Sequence, residues 1–273
     1  MLNWYGKTVW ITGASSGIGR CLATKLAERG ATVVISARRE EVLNDIASHD
    51  PQRLLPLAVD VTDHESIADV QNKLAQRVEA LDFIIMAAGT VEYEDDLDFD
   101  PKRYQRVFDV NFFGLVNSLA IAMPLLRNSE NKPHIIGVTS LVMLLGFPRA
   151  EAYGASKAAA DYFLKSLRSD LPPEQFYISI ARPGFVKTPM TSVNDFPMPF
   201  LMTADQAAER IIKGINKRKM FINFPSRFSA ILKLLSLVPW LWYCYLTPKM
   251  TRYRSTSKTQ EQSKTSKNGS GRT

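Results

Sequence analysis

Six short runs of β-branched and apolar residues recur along the chain, at 8–12, 32–36, 54–59, 83–86, 134–139 and 177–181. Most are separated by helix-length stretches with apolar residues at helical spacing, as in Leu22 and Leu26, or Val107, Val110, Leu115, Leu119 and Met123. A strand buried on both faces reads as such a continuous apolar run, so the alternation predicts repeated βα units around a parallel sheet. Asp63, followed by Ser66 and Ile67, reads as a helix start. No repeat of the solenoid kind is present, and 273 residues suit one large α/β domain or two small ones.

Charge is unevenly placed. Of the formal +7, residues 249–273 carry +6, from Lys249, Arg252, Arg254, Lys258, Lys264, Lys267 and Arg272 against Glu261, which leaves +1 for the first 248 residues. The basic balance therefore describes a tail, and no nucleic-acid-binding face is expected on the folded body. Residues 255–273 hold no large apolar side chain and are expected to be disordered. Cys21 and Cys244 stand far apart, and His49, His64 and His134 are scattered singles. That usage disfavours a disulfide framework and a metal site and suits a reducing compartment. No cleaved secretory signal is visible at the N-terminus, so a cytoplasmic location is expected.

Thr12-Gly13-Ala14-Ser15-Ser16-Gly17-Ile18-Gly19 lies between the first strand and first helix, where a parallel sheet offers backbone N–H groups and a helix dipole to an anion. A plain strand-to-helix turn also favours Gly and Ser, so this signal alone is ambiguous. The second strand ends in Ser36-Ala37-Arg38-Arg39. Sites selective for NAD place a carboxylate here for the ribose 2′-hydroxyl, whereas two guanidinium groups favour a 2′-phosphate and hence NADP(H). As a mere basic helix start, the pair would oppose the helix dipole. Asp60 and Val61, after the third strand, are placed near the adenine ring, though a lone Asp also reads as a turn residue.

Tyr153 and Lys157 are four apart in a helix-forming segment and so share one face. An ammonium near a phenol favours the phenolate, lowering its pKa from about 10 toward neutrality, as a general acid/base for alcohol and ketone chemistry requires. Alone, the pair also reads as a surface helix contact. Ser140 just past the fifth strand and Asn111 in the preceding helix complete an order that is hard to dismiss, although Asn111 by itself also reads as a helix-kinking polar residue.

Over roughly residues 6–190 the sequence resembles the short-chain dehydrogenase/reductase family. Residues 12–19 match its glycine motif. Asn111, Ser140, Tyr153 and Lys157 match its catalytic tetrad in order, and Arg182-Pro183-Gly184 with Val186 and Thr188 matches its later cofactor-binding segment. One departure is Met86-Ala87-Ala88-Gly89, where the family has Asn-Asn-Ala-Gly and the Asn ties neighbouring strands together. The resemblance implies a Rossmann-like doubly wound parallel sheet of about seven strands in a single domain. It implies hydride transfer between NADP(H) and a carbonyl carbon, with Tyr153 moving the proton and Ser140 orienting the carbonyl. Lys157 would bind ribose and depress the Tyr153 pKa, and Asn111 would hold a relay water. Cofactor contacts are implied at Gly13, Ser15, Ser16, Gly17, Ile18, Gly19, Arg38, Arg39, Asp60, Val61, Ala88, Gly89, Tyr153, Lys157, Pro183, Gly184, Val186 and Thr188. A homodimer or homotetramer, paired through helices near 102–126 and 151–171, is implied as well.

Residues 185–203 form the expected substrate lid of the catalytic domain, 1–225. They include Phe185, Met190, Phe196, Pro197, Met198, Pro199, Phe200, Leu201 and Met202, with Lys187 the one base, which suits an apolar ketone or alcohol, lipid- or steroid-like. The same residues also suit plain loop packing. In the following apolar segment, 226–248, fifteen of the nineteen residues from 228 to 246 are apolar, interrupted by Lys233 and Pro239. If helical, Ser229, Lys233 and Ser236 form a narrow polar stripe. Three placements are compatible: an interfacial helix at a membrane surface, favoured by the aromatic residues and the basic tail, a true span, or a helix packed on the body or a partner. The expected activity is oxidoreduction. The rival reading is an idle NADP(H)-binding scaffold or redox sensor at a membrane, against which an intact tetrad argues.

Overall fold

The computed structural model describes residues 2–250 except Asp96, so most of the basic tail, 251–273, lies outside the described residues. Among the described residues, one all-parallel sheet contains β1 (Thr8–Thr12), β2 (Thr32–Ala37), β3 (Leu54–Ala58), β4 (Phe83–Met86), β5 (His134–Val138), β6 (Tyr177–Pro183) and β9 (Phe221–Phe224). The order is β3-β2-β1-β4-β5-β6-β9, and the short strands β7 (Val186–Lys187) and β8 (Met202–Thr203) pair separately. This is the Rossmann-like single-domain fold that the sequence implied. Six strands lie where the apolar runs placed them, to within two residues at their ends.

Alternation along β1 shows why the sheet needs covering on both sides. Val9 and Ile11 face one core with Leu22 and Leu26 of α1 (Gly17–Glu28) and Ile211 and Ile215 of α7 (Ala204–Asn216). Trp10 faces the other core, with Leu74 of α3 (Ile67–Ala75), Leu119 and Ala122 of α5 (Gly114–Arg127) and Leu164 of α6 (Glu151–Asp170). The Trp10 indole N–H is satisfied by Ser36 Oγ at 2.9 Å, so its burial leaves no orphan donor. α2 (Glu40–Ser48) adds Leu43 and Ile46 to the first core, and α4 (Pro101–Phe108) runs through a π turn, Asp109–Phe113, into α5. The helix after β3 begins at Ile67. Asp63 starts its approach, accepting from the Glu65 and Ser66 amides at 3.0 and 3.2 Å.

The strand order reverses between β1 and β4, and a ligand crevice in such sheets opens there, beyond the carboxyl ends. α6 sits close over this region because Gly137 of β5 carries no side chain; a Cβ there would collide with Leu164. Asp161 of α6, fully buried, then meets Arg182 of β6 in a two-pronged pair at 2.6 and 2.8 Å. Thr139 Oγ1 lies 3.4 Å from the same carboxylate.

The 228–246 stretch is not one helix. α8 (Ser226–Leu237) ends at Val238, and the chain turns by 105° into a second helical piece, Pro239–Lys249, whose first turn is α9 (Pro239–Leu241). A residue before proline is pushed out of the helical region, and Val238 accordingly has φ −128° and ψ 65°. A straight span through this segment is therefore excluded. The expected polar stripe also divides, since Ser229 is buried against the body while Lys233 is exposed. Among the described residues one continuous helix, Pro101–Arg127, is long and apolar enough to cross a bilayer, but over half of its most apolar stretch is buried inside the protein.

Asp161→Ala is expected to destabilise the fold by about 3–5 kcal/mol in urea titration, because Arg182 would be left buried without its counter-charge. A loss below about 1 kcal/mol would show that the pair sets geometry without supporting the fold.

Candidate active site

A cleft of about 680 Å³ opens at the switch point. Every catalytic and cofactor-contact residue that the sequence implicated lines it except Asn111, with Asp60 and Val61 reaching it from the loop after β3, whereas of the apolar lid residues only Met190 does so. At its nucleotide end Gly13 has φ +73°, and a Cβ there would lie 2.6 Å from the Ala88 amide nitrogen, so only glycine allows this turn to pass so close to the strand beside it. α1 then starts at Ser16 with no side-chain cap and no acid in its first turn. Its leading N–H groups and dipole face the cleft without a protein counter-charge, the arrangement that accepts a phosphate. Arg39, exposed at the rim, donates to Ser15 Oγ at 3.3 Å, which brings a guanidinium over the glycine turn. Asp60 is committed locally, accepting from the Thr62 amide at 3.0 Å and the Thr62 hydroxyl at 2.8 Å, as its plainer turn reading requires.

At the chemical end, Ser140 follows β5 and its hydroxyl accepts from the Val142 amide at 3.2 Å. Tyr153 and Lys157 reach the same wall from the first turns of α6. Lys157 Nζ donates to the Val138 carbonyl at 3.2 Å and lies 6.0 Å from the centre of the Tyr153 ring. Burial works against the expected lowering of the phenol by this ammonium. Dense surrounding protein pushes Tyr153 up to about 12, with Tyr93 adding to the rise and a hydrogen bond with Ser140 opposing it. Burial lowers Lys157 to about 8. Tyr153 is thus a neutral phenol at physiological pH, equipped to give a proton.

Asn111 is buried. It lies behind the cleft wall in the π turn, where Oδ1 accepts from the Thr90 amide at 2.8 Å and Nδ2 donates to the Thr90 carbonyl and to Ser156 Oγ, both at 2.9 Å. Both amide protons are used, so a relay water would be held through an oxygen, Oδ1 or the main-chain carbonyl, while the side chain clamps the segment after β4 to α6. Thr12 Oγ1 remains buried without a partner among the described residues, beside β4, whose last residue is Met86 in place of an Asn.

Spacing alone did not find several cleft residues. Glu92 and Arg106 form a two-pronged ion pair at 3.0 and 2.6 Å on the rim, between the loop after β4 and α4. Thr90 and Thr139 add to the lining. The lid is latched to the loops on either side of the cleft: Arg149 pairs with Asp195 at 2.8 Å and Asp95 at 2.6 Å, and Tyr93 donates to Asn194 at 2.6 Å. An acid at 195 and an aromatic at 93 were the only sequence signals for this latch.

A family model described as short chain dehydrogenase matches residues 7–196. An 11-beta-hydroxysteroid dehydrogenase 1A of Arabidopsis thaliana is 30% identical over 270 residues, covering 89% of this chain and 76% of that protein. A short-chain dehydrogenase from Burkholderia cenocepacia J2315, solved in complex with NADP, superposes with a TM-score of 0.76 at 25% identity, covering 90% of this chain and 100% of that one. A further member from Burkholderia phymatum, in complex with NAD, gives a TM-score of 0.79 at 21% identity, covering 88% and 96%.

The low Lys157 value has a measurable consequence for stability. An unfolded lysine titrates near 10.5, so below pH 8 both states carry the charge and the full burial cost applies. Between about 8 and 10.5 the unfolded chain binds the extra proton, and stability rises with pH as that cost disappears. Lys157→Met is expected to stabilise the protein in urea titration at pH 7 by up to about 3 kcal/mol, a gain that vanishes near pH 10.5. Thr12→Val is expected to add about 1 kcal/mol by removing the orphan hydroxyl.

Proposed function

This chain belongs to the short-chain dehydrogenase/reductase family, and on that premise we propose that it is an NADP(H)-dependent oxidoreductase that reduces an apolar, lipid- or steroid-like ketone to an alcohol. The observation that carries this reading is the convergence of Ser140, Tyr153 and Lys157 on one wall of the cleft whose other end is the uncapped start of α1. The cleft fits a dinucleotide. Gly13 leaves the cradle that a Cβ would fill, the first turn of α1 lacks a competing acid, and the end of β2 offers Ala37, Arg38 and Arg39 with no carboxylate to compete with a 2′-phosphate.

Gly13 through Gly19 would cradle the pyrophosphate, Arg38 and Arg39 the 2′-phosphate, and Pro183, Gly184, Val186 and Thr188 the nicotinamide side. When bound, the cofactor supplies the hydride that adds to the carbonyl carbon. The chain's own part is to place and protonate the oxygen. Ser140 Oγ accepts from the Val142 amide and donates only at the long distance of 3.5 Å to the Pro183 carbonyl, a bond its proton would exchange for one to the substrate carbonyl oxygen. Tyr153, held neutral, transfers its proton to that oxygen as the C–O π bond breaks, and the resulting phenolate is stabilised by the Lys157 ammonium on the same helical face.

Substrate class follows from the lid. Phe185, Phe196 and Phe200 pack around Phe228, directly or through one another, with centroids 5.7–6.1 Å apart, and the relative in Arabidopsis is named for a hydroxysteroid. An apolar ring or chain suits this wall better than an anion.

Titration of cofactor fluorescence is expected to show NADPH bound more tightly than NADH. Arg39→Ala should weaken NADPH by about 10–100-fold and leave NADH nearly unchanged, the span that losing one charge-assisted contact corresponds to. Tyr153→Phe should abolish NADPH oxidation against apolar ketones while retaining cofactor binding. Equal turnover in that variant would remove Tyr153 from the chemistry.

A further inference from the structure

The elbow formed by α8 and the Pro239–Lys249 piece has two apolar faces with different destinations. Its inner face packs on the body: Phe228, Leu232 and Trp242 join Leu141 and Leu145 beside Ser140, and the Trp242 indole donates to the Gly146 carbonyl at 2.7 Å. Among the described residues nothing covers its outer face. Ile231, Leu234, Leu237 and Leu241 follow one another at three- and four-residue spacing, with Leu234 66% and Leu237 78% exposed, and Trp240 beside them is 58% exposed. Tyr245 stacks edge-on against Trp240 at 5.5 Å and is exposed too. The lid continues this surface, since Phe200 packs on Phe228 while remaining largely exposed, as does Leu201.

We propose that this outer face docks the protein on the surface of an anionic bilayer, lying in the interface without crossing it. The twelve residues of α8 fall short of the roughly 20 needed to span, and the 105° turn forbids a continuous crossing. Charge selects the occupant. No Asp or Glu occurs from 226 to 260, Arg227, Lys233 and Lys249 flank the apolar row, and residues 249–273 add a net +6. Lys233, exposed amid leucines, has the stem length to lie along them with its ammonium among headgroups. Trp240 and Tyr245 suit the same depth. A second copy is the poorer occupant, because two-fold pairing through the elbow would set two +6 segments side by side. The basic segment instead favours phosphatidylglycerol or similar lipid.

Docking in this pose turns the lid toward the lipid, which on the reading proposed above admits an apolar ketone from the membrane. The docking itself requires no turnover, so its failure is separable from failure of that reading.

The test is cosedimentation of the full chain with vesicles of phosphatidylcholine and phosphatidylglycerol. Strong binding is expected, weakened at least tenfold on pure phosphatidylcholine or in high salt. The double variant Leu234→Glu/Leu237→Glu alters exposed positions only and should lose binding at least tenfold while still titrating NADPH. Bromine-labelled lipid should quench tryptophan fluorescence in the unaltered protein and much less in Trp240→Phe, a readout independent of how the double variant folds. Absent cosedimentation, undiminished binding by the double variant, or a lipid-free dimer that the double variant converts to monomer would each overturn the proposal.

Discussion

The pair between Asp161 and Arg182 fixes the positions on which the site depends. Asp161 lies one helical turn beyond Lys157 on the inward face of α6, and Arg182 immediately precedes Pro183 and Gly184 at the end of β6. Thr139, next to Ser140, reaches the same carboxylate, and the guanidinium lies 4.0 Å from the centre of the Phe221 ring on β9. One buried carboxylate thus references the helix that carries Tyr153 and Lys157, the segment of Ser140 and the loop after β6 to a common point. Replacing a buried pair with apolar residues can leave stability unchanged. What such residues would lack is direction, because two parallel N–H···O bonds hold the orientation of α6 over β6 as packing alone does not.

Around that point the site holds polar groups in surroundings less favourable to them than water. Tyr153 is buried with its phenol harder to ionise, Lys157 carries its charge at a cost, and Thr12 leaves a hydroxyl unanswered among the described residues. Each is a departure from good core design, and all lie within or beside one cleft. Functional sites are where such departures collect, since a satisfied and fully packed wall has nothing to offer a substrate. His134 provides the contrast. It is buried too and held down to about 3 by burial and nearby cations, yet Ser179 and Arg218 occupy both ring nitrogens at 2.7 and 2.9 Å, and it lines no part of the cleft.

Local signals carried most of the sequence reading, and long-range ones limited it. Six strands were legible because a parallel strand covered on both faces must be apolar throughout. β9 was not, because it is a four-residue edge strand whose first residue, Phe221, is exposed and which follows Lys217, Arg218 and Lys219. The glycine turn and the Tyr153–Lys157 pair were legible because their geometry depends on spacing along one turn or one helix. The clamp formed by Asn111 was not, since it follows from a π turn that aims the amide at Thr90 and Ser156, a property of two elements meeting. The mutual effect of Tyr153 and Lys157 was misjudged for a related reason: helical spacing brings two side chains to one face but says nothing of how much water reaches them, and burial outweighed their attraction.

The C-terminal elbow shows how one proline changes what an apolar run can become. Without Pro239, residues 228–246 could form a single helix whose wide apolar circumference would have to be buried all round. Val238, barred from the helical region by the proline after it, breaks the run, and the 105° turn brings Trp242 back onto Gly146. That closure leaves Leu237, Val238 and Trp240 at the corner, where neither arm can cover them. Residues of the same type are therefore divided by geometry into a set that supports the loop after Ser140 and a set that faces outward. The bond from Trp242 to Gly146 couples them, joining the corner of the elbow to the loop that follows Ser140.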